Sequence, residues 1–383
     1  IRDFCLSRGL GDVYKRQVVD LLNKGVLDHT YPGAVGYVTR GGDRIFAQAV
    51  GSRSAESSAV TLDTVYDVAG ITSVLVTTTI LLKLIEEGKL SLSDKVSRFL
   101  QGFGVLGKSK VTLSHLLNHS SGLPPWAPFF EEIIKENAGP RLGIMTSRSA
   151  RDYVYAEIQK LPLKYEPGTR TIYSDLGLML LGNIIELLTG MSLDRAAQKY
   201  VFTPLQMKST GYIDLSMIRR RGIHPVTDQI ASTEECSWRK RVLCGEVHDD
   251  NAWAMGGIAG HAGVFSNAPD LSRFAVELLR VLKNASNFIE PRLLKEAWSP
   301  LDPNSPYRCG WEAPSKENGF STSGLTESSV GVNGFTCFSL WIDPAKDLSI
   351  ILLTNRVHPS RNNKKINQFR LDFTKEILNA YVG

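Results

Sequence analysis

The chain has 383 residues, of which 43% are hydrophobic and 22% charged, and its net charge is +5. This composition is typical of a globular protein with one large domain or two closely packed ones, and it excludes the disordered and fibrous classes. The excess of 44 Lys and Arg over 39 Asp and Glu is too small to indicate nucleic-acid binding. The longest apolar run is shorter than the ~20 residues that cross a bilayer, so no transmembrane segment is predicted.

The first residues of the chain do not look like part of the fold. Residues 12–17 are similar to one reading frame of a transposon end used in sequencing libraries, and residues 1–11 carry no apolar period. We therefore expect residues 1–17 to be a non-native artefact and residues 18–383 to form the domain. The native N-terminus is then unknown, and the sequence does not decide between a cytoplasmic and a periplasmic location.

The N-terminal elements follow from periodicity and turn residues. An amphipathic helix is predicted over residues 18–24. Two strands, 34–39 and 45–50, are joined by Gly41 and Gly42, which favours a β-hairpin. A buried helix is then predicted over residues 74–85, ending at Gly88.

The later elements return from helices to strands. Helices are predicted over 96–100, 180–188, 268–282 and 366–380, and strands over 334–342 and 348–355. Strands at both ends of a chain with helices between them indicate one sheet completed by the two termini. The predicted fold class is therefore α/β (α+β), an antiparallel sheet flanked by helices with a large helical insertion. The sheet part is about 18–66 and 305–383, and the helical part is about 67–304.

The entry to the buried helix carries the first functional motif. Residues 67–74 read Asp-Val-Ala-Gly-Ile-Thr-Ser-Val. This segment resembles Asp-Leu-Ala-Ser-Leu-Thr-Lys-Val of the penicillin-recognising serine hydrolases, which include class C β-lactamases, DD-peptidases and esterases. The resemblance implies a β-lactamase/transpeptidase-like fold. In that family a Ser-x-x-Lys supplies the nucleophile and its base, but here the two positions are Gly70 and Ser73.

Two further segments resemble the other motifs of the same family. Residues 167–182 are similar to Pro-Gly-x-x-x-x-Tyr-Ser-Asn/Asp-x-Gly, which implies that Tyr173 shares the general-base role and that Asp175 takes the position of the Asn. The Lys/His-Thr/Ser-Gly motif aligns on residues 332–334, so the cation is replaced by Val332. The resemblance implies an oxyanion hole from the N–H groups of residues 70 and 335. The substrate-binding candidates are Asn333, Gly334, Phe335, Trp126 and Trp253.

Several histidines and aspartates invite a metal interpretation. His115 and His119 stand four residues apart without a nearby third ligand, so capping or packing is favoured. Residues 246–266 contain His248, Asp249, Asp250 and His261 but resemble a family segment that forms a loop at the edge of the pocket. We expect neither a metal nor a cofactor. The five cysteines form no CxxC pair, which indicates neither a zinc site nor a disulfide framework.

Three functions remain open, and the resemblance covers almost all of the chain from residue 18 onward. The first is a hydrolytically inactive homologue that retains a pocket for a peptidoglycan-like peptide, a lactam or an ester. The second is an active acyl hydrolase of the esterase or β-lactamase type with a displaced nucleophile and Tyr173 as the base. The third is a structural or interaction protein whose pocket is filled, for which the bulky Phe338 is the indication. A small-molecule or peptide ligand is the expected partner, and the sequence does not define the oligomeric state.

Overall fold

A seven-stranded antiparallel sheet forms the centre of the computed structural model, which describes residues 2–54, 58–137, 145–300, 302, 305–336 and 338–382, with side chains from residue 15 onward. The strand order is β2-β1-β12-β11-β10-β9-β8. Two smaller sheets contain β3, β7 and β4, and β5 with β6. The strands are β1 Gly33–Arg40, β2 Asp43–Gly51, β3 Tyr66–Asp67, β4 Gly211–Tyr212, β5 Glu235–Cys236, β6 Arg241–Val242, β7 Val264–Ser266, β8 Tyr307–Arg308, β9 Trp311–Glu312, β10 Val330–Asn333, β11 Phe338–Asp343 and β12 Leu348–Thr354.

Helices cover both faces of this sheet and fill the middle of the chain. The α-helices are α1 Arg2–Leu27, α2 Thr79–Glu86, α3 Leu113–Leu117, α4 Phe129–Asn137, α5 Arg148–Lys160, α6 Asp175–Thr189, α7 Leu193–Ala197, α8 Leu215–Arg221, α9 Asp250–Ala254, α10 Ala268–Leu282, α11 Pro291–Ala297 and α12 Ile366–Tyr381. Two π-helical segments, Ser73–Thr78 and Gln198–Phe202, and three 3₁₀ turns, Val96–Arg98, Lys108–Lys110 and Phe320–Thr322, complete the helical structure. No single described helix is long and apolar enough to cross a membrane; α6 and Leu193–Phe202 reach that length and composition only as a pair bent by 76°.

The two ends of the chain meet in the sheet. Strand β1 pairs with β2 on one side and with β12 on the other, in both cases antiparallel. Gly41 and Gly42 at the hairpin have φ of +64° and +89°, the left-handed conformations that a two-residue turn between twisted strands requires. The predicted fold class is confirmed, and the hairpin strands are each one or two residues longer at their ends than predicted.

Alternation along β1 divides the core into two layers. Ala34 and Val38 pack in a cluster with α1 and α12, whereas Val35 and Tyr37 pack in the larger cluster on the opposite face. Successive side chains of a strand point to opposite faces, so one buried strand serves both layers.

The helix α1 begins at Arg2 and ends at Leu27, so the expectation of a helix limited to residues 18–24 is wrong in its bounds.

The buried helix begins as a π-helix. Residues Ser73–Thr78 are π-helical and all buried, and α2 continues to Glu86. Three threonine hydroxyls donate to backbone carbonyls here, Thr77 to Gly260 at 2.6 Å, Thr78 to Cys309 at 3.2 Å and Thr79 to Val74 at 2.8 Å. Such hydroxyls compete with the regular helical hydrogen bonds. The helix thus ties the first motif to the loop that carries His261.

Candidate active site

A cavity of about 770 Å³ opens where the entry to the buried helix faces β10 and the loop after it. The cavity brings together nearly all of the predicted site residues, namely Gly70, Ser73, Trp126, Tyr173, Asp175, Val332, Asn333, Gly334 and Phe335. Trp253 does not line it: this side chain is 9% exposed and its indole N–H donates to Glu246 at 2.8 Å. The three motifs of the sequence therefore converge on one pocket.

Residue 70 sits in a loop that Asp67 holds in place. The Asp67 carboxylate accepts hydrogen bonds from the Ala69 N–H at 2.9 Å and from the His248 N–H at 2.6 Å. Ala69 has a strained φ of +33°, whereas the φ of Gly70 lies outside the left-handed region. A Cβ added at Gly70 would meet no atom within 4 Å. The backbone would therefore accept a side chain at residue 70, and the pocket has room for it.

Three hydroxyls, from the motif segments and the loop after β10, are hydrogen-bonded to backbone carbonyls. Ser73 Oγ donates to the Gly70 carbonyl at 2.7 Å, and Thr336 Oγ1 donates to the Asp67 carbonyl at 2.8 Å. Ser174 Oγ donates to the Pro124 carbonyl at 2.7 Å and is buried. In each of these hydrogen bonds the hydroxyl proton points at a backbone carbonyl, which cannot act as a general base.

Tyr173 is a proton donor in this arrangement. Its hydroxyl donates to Asp175 Oδ1 at 2.9 Å. Desolvation, followed by the neighbouring Asp175 carboxylate, raises the pKa of Tyr173 well above its ordinary value. Burial also raises the pKa of Asp175, although His261 opposes this effect. Ser73 and Val332, at the two positions where the resemblance predicts cations, carry no charge that would favour a tyrosinate.

The third motif lies at the end of β10. Asn333 is the last residue of this strand, and residues 334–336 lie in neither β10 nor β11, so the expectation of one strand over 334–342 is wrong in its first part. Phe338 is 2% exposed and packs directly beneath Gly334, where an added Cβ would lie 1.8 Å from its ring. The interpretation that Phe338 fills the pocket is therefore wrong, while Cys337 lies outside the described residues.

Two arginines hold the loop that contains the expected oxyanion donor. Arg370 donates to the Gly334 carbonyl, and Arg356 donates to the Phe335 carbonyl. The bond from Thr336 to Asp67 ties the same loop to the segment that leads into residue 70. The Gly70 N–H has no acceptor among the described residues. These contacts place the backbone of residues 70 and 335 against the same cavity.

The histidines and aspartates of residues 248–261 form separate pairs. His261 Nε2 lies 3.0 Å from Asp249 Oδ1, and His248 Nε2 lies 3.1 Å from Glu234 Oε2. Burial opposes ionisation of Asp249, but His261 lowers the pKa of this carboxyl to about 2. Against the effect of burial, Asp249 raises the pKa of His261. No group of three or more potential metal ligands occurs within the residues that the structure describes.

The two other histidines of the metal interpretation have structural roles. His115 caps α3, where its Nδ1 accepts from the Thr112 N–H at 3.2 Å. His119 is buried with its ring against Tyr173 and Tyr307, and its Nδ1 accepts from the Ser174 N–H at 3.2 Å. The packing interpretation of this pair agrees with both sets of contacts.

Several pocket residues were missed by sequence reasoning. Tyr307 and Glu312 come from β8 and β9, which have two residues each and are too short to show a period. Arg361 and Lys364 precede α12 and also line the cavity. A polar cluster before a C-terminal amphipathic helix is not a signal that distinguishes a pocket wall from solvent-exposed surface.

The sequence matches the Beta-lactamase protein family over residues 16–375. The chain belongs to this family. This beta-lactamase family member is 33% identical over 378 residues to an N-acetylmuramyl-L-alanine amidase of Bacillus subtilis (strain 168), covering 90% of this chain and 81% of the relative. It is 32% identical over 336 residues to a D-alanyl-D-alanine carboxypeptidase homologue of Salmonella typhimurium, covering 80% and 73%.

Solved structures show the same fold at lower identity. This family member resembles EstCE1, a hydrolase with promiscuous acyltransferase activity, with a TM-score of 0.73 at 17% identity, covering 96% of this chain and 99% of that one. It resembles a class C beta-lactamase with a TM-score of 0.72 at 20% identity, covering 97% of each chain. These likenesses confirm the predicted β-lactamase/transpeptidase-like architecture.

Proposed function

We propose that this member of the beta-lactamase family has lost acyl transfer at residue 70 and acts by binding a peptidoglycan-like peptide, a lactam or an ester in its pocket. The observation that carries the proposal is Gly70, which places no hydroxyl in an otherwise open cavity. Covalent acyl transfer needs a nucleophile within reach of a base. Ser73 and Thr336, which line the same cavity, both donate to backbone carbonyls.

The expected loss of rate is large. Removing the nucleophile of a serine hydrolase costs about 10⁶ in rate, and binding with the oxyanion donors leaves roughly 10³ over water. Here the base position Ser73 and the cation position Val332 are also changed. A single accidental substitution would not account for three altered positions in one pocket, which supports a protein that no longer acylates.

The size of the pocket and the names of the relatives support a retained ligand. A volume of about 770 Å³ falls within the ~300–1,000 Å³ of small-molecule sites. The curated relatives carry names that refer to muramyl amide and D-alanyl-D-alanine substrates. A peptide with an acylated or D-configured end is therefore the first class of ligand to test.

The test combines binding and turnover on one purified protein. We expect benzylpenicillin or a D-alanyl-D-alanine peptide to raise the melting temperature without being consumed, since a ligand at 100 times its Kd stabilises the folded state by about 2.7 kcal/mol. Gly70→Phe should abolish this stabilisation by filling the cavity. Gly211→Phe is the matched control, because an added Cβ also meets no atom within 4 Å there and Gly211 does not line the pocket.

Three outcomes would contradict the proposal. Hydrolysis of a chromogenic ester that is abolished by Tyr173→Phe would instead show an active acyl hydrolase with a displaced nucleophile. Neither stabilisation nor turnover with any of these compounds would favour the structural or interaction role. Stabilisation that persists in Gly70→Phe would place the ligand outside this pocket.

A further inference from the structure

The pocket wall carries hydrogen-bond acceptors as well as cations. Four carboxylates line the cavity: Asp249 and Asp250 form ion pairs, and the other two are Asp175 at the start of α6 and Glu312 on β9. Asp175 accepts the Tyr173 hydroxyl, and Glu312 accepts hydrogen bonds from Asn333 at 3.0 Å and Asn318 at 3.3 Å. All of these donors are neutral. In the described residues no ion pair within 4 Å joins either carboxylate to Lys, Arg or His.

The charged groups around these carboxylates leave their negative charge only partly compensated. Arg370 is the cation whose field reaches Glu312, and its guanidinium donates to the Gly334 carbonyl. His261 is the cation that lowers the pKa of Asp175, but its ring is hydrogen-bonded to Asp249. Burial raises the pKa of both carboxyls. Two half-buried carboxylates without a direct cationic partner are incompletely compensated, and a cationic ligand would improve that compensation.

Two polar atoms at the wall of the same cavity have no hydrogen-bond partner among the described residues. His261 is 3% exposed, and its Nδ1 is buried without a partner. Asn333 Oδ1 is likewise buried without a partner. Buried polar atoms of folded proteins are nearly always satisfied, so the Asn333 oxygen, which is an acceptor, points to a donor that arrives with a ligand.

Aromatic rings complete the environment. Tyr173 and Tyr307 both line the cavity, with ring centroids 6.3 Å apart. The face of an aromatic ring attracts cations. The His119 ring packs against both tyrosines and so supports their positions. Acceptor oxygens and aromatic faces together match a primary ammonium group, which has three N–H donors and no acceptor.

We propose that the centre of the pocket, around Asp175, Glu312, Asn333 and Tyr307, binds the ammonium group of a peptide with a free amine. This proposal rests on the binding function proposed above and names its ligand class. Arg361 and Lys364 line the same cavity, so the pocket carries both signs of charge and suits a zwitterionic ligand. The space beside Gly70 and Ser73, where the family has a nucleophile and a lysine, admits the amine.

The test compares two probes that differ only at the amine. D-alanyl-D-alanine and N-acetyl-D-alanyl-D-alanine are titrated calorimetrically into the full chain at pH 7, where most of the free amine is protonated. We expect the free-amine dipeptide to bind at least tenfold more tightly. Glu312→Gln and Asp175→Asn keep the shape of each side chain and remove its charge, so each should reduce this preference severalfold.

The controls separate this proposal from the proposed function. Glu296→Gln on α11 is the matched control, because Glu296 is a surface glutamate whose partner is Arg292 outside the pocket. Equal affinity for the two dipeptides, no binding of the free-amine form at 20 mM, or a preference unchanged in both pocket variants would overturn the ammonium site. Turnover of an ester or acylation of the chain would instead overturn the loss of hydrolysis, whichever dipeptide binds better.

Discussion

His119 supports the pocket as a buried, neutral imidazole, and this makes the stability of the protein sensitive to acid. Its side chain is 2% exposed, and its ring centroid lies 4.5 Å from that of Tyr173 and 4.6 Å from that of Tyr307. Burial lowers the pKa of His119 from 6.5 to about 4. Between these two values the unfolded chain binds a proton that the folded chain does not, so the free energy of unfolding falls as the pH falls.

The size of this effect follows from the two pKa values. Between pH 8 and pH 5, His119 alone should lower the free energy of unfolding by ~2 kcal/mol. The variant His119→Asn removes the titration. Asparagine tolerates the φ of +54° at this residue and retains an oxygen that can accept the Ser174 N–H. We expect the variant to be less stable at pH 8, because it loses the ring contacts, but to lose about 2 kcal/mol less than wild type on acidification.

Urea unfolding followed by tryptophan fluorescence from pH 5 to pH 8 measures the free energy of unfolding of wild type and of His119→Asn at each pH. His29→Asn is the matched control, because His29 has the same φ of +54° but is exposed. Its pH dependence should follow that of wild type. If the stability curves of wild type and His119→Asn run parallel over this range, the buried neutral imidazole is not the origin of the acid sensitivity.

Two further predictions concern the pocket wall. Gly70→Ser should change the free energy of unfolding by less than about 0.5 kcal/mol, because the added Cβ meets no atom within 4 Å. Gly334→Ser should lower the free energy of unfolding by about 3 kcal/mol, because the added Cβ would lie 1.8 Å from the Phe338 ring. Equal effects of the two variants in thermal unfolding would contradict this geometry. Asp249→Asn should cost roughly 2 kcal/mol at pH 7, and the difference should shrink below pH 3.8 and vanish as the pH falls through about 2, where wild-type Asp249 becomes protonated. A difference that does not depend on pH would show that the pair with His261 contributes through packing alone.

The parts of the fold with strong local signals could be predicted from the sequence. The hairpin of β1 and β2 carries β-rich runs around a Gly-Gly turn, and α10 was predicted with the bounds that the structure shows, Ala268–Leu282. Both patterns depend only on residues that are close together in the sequence. The π-helical start of the buried helix is different, because it depends on hydroxyl contacts such as that of Thr77 with Gly260, 183 residues away.

The residues of the candidate site likewise differ in whether a local sequence pattern identifies them. Gly70, Tyr173 and Val332 were found because each lies in a continuous motif. Glu312 and Tyr307 lie on strands of two residues, and their place in the pocket depends on the pairing of β8, β9 and β10. The pairing of His261 with Asp249 likewise depends on how a Gly-rich loop folds back on the start of α9. Such contacts are set by tertiary packing and leave no periodic pattern in the sequence.

The most direct test of the central claim, that the pocket is retained while acylation is lost, is intact-mass spectrometry after incubation with a fluorophosphonate and, separately, with benzylpenicillin. Wild type is compared with a triple variant that carries Gly70→Ser, Ser73→Lys and Val332→His. We expect no adduct on wild type and a single adduct on the variant, which peptide mapping should place at residue 70. A stoichiometric adduct on wild type would contradict the loss of the nucleophile, and a folded variant that remains unmodified would contradict the retained pocket.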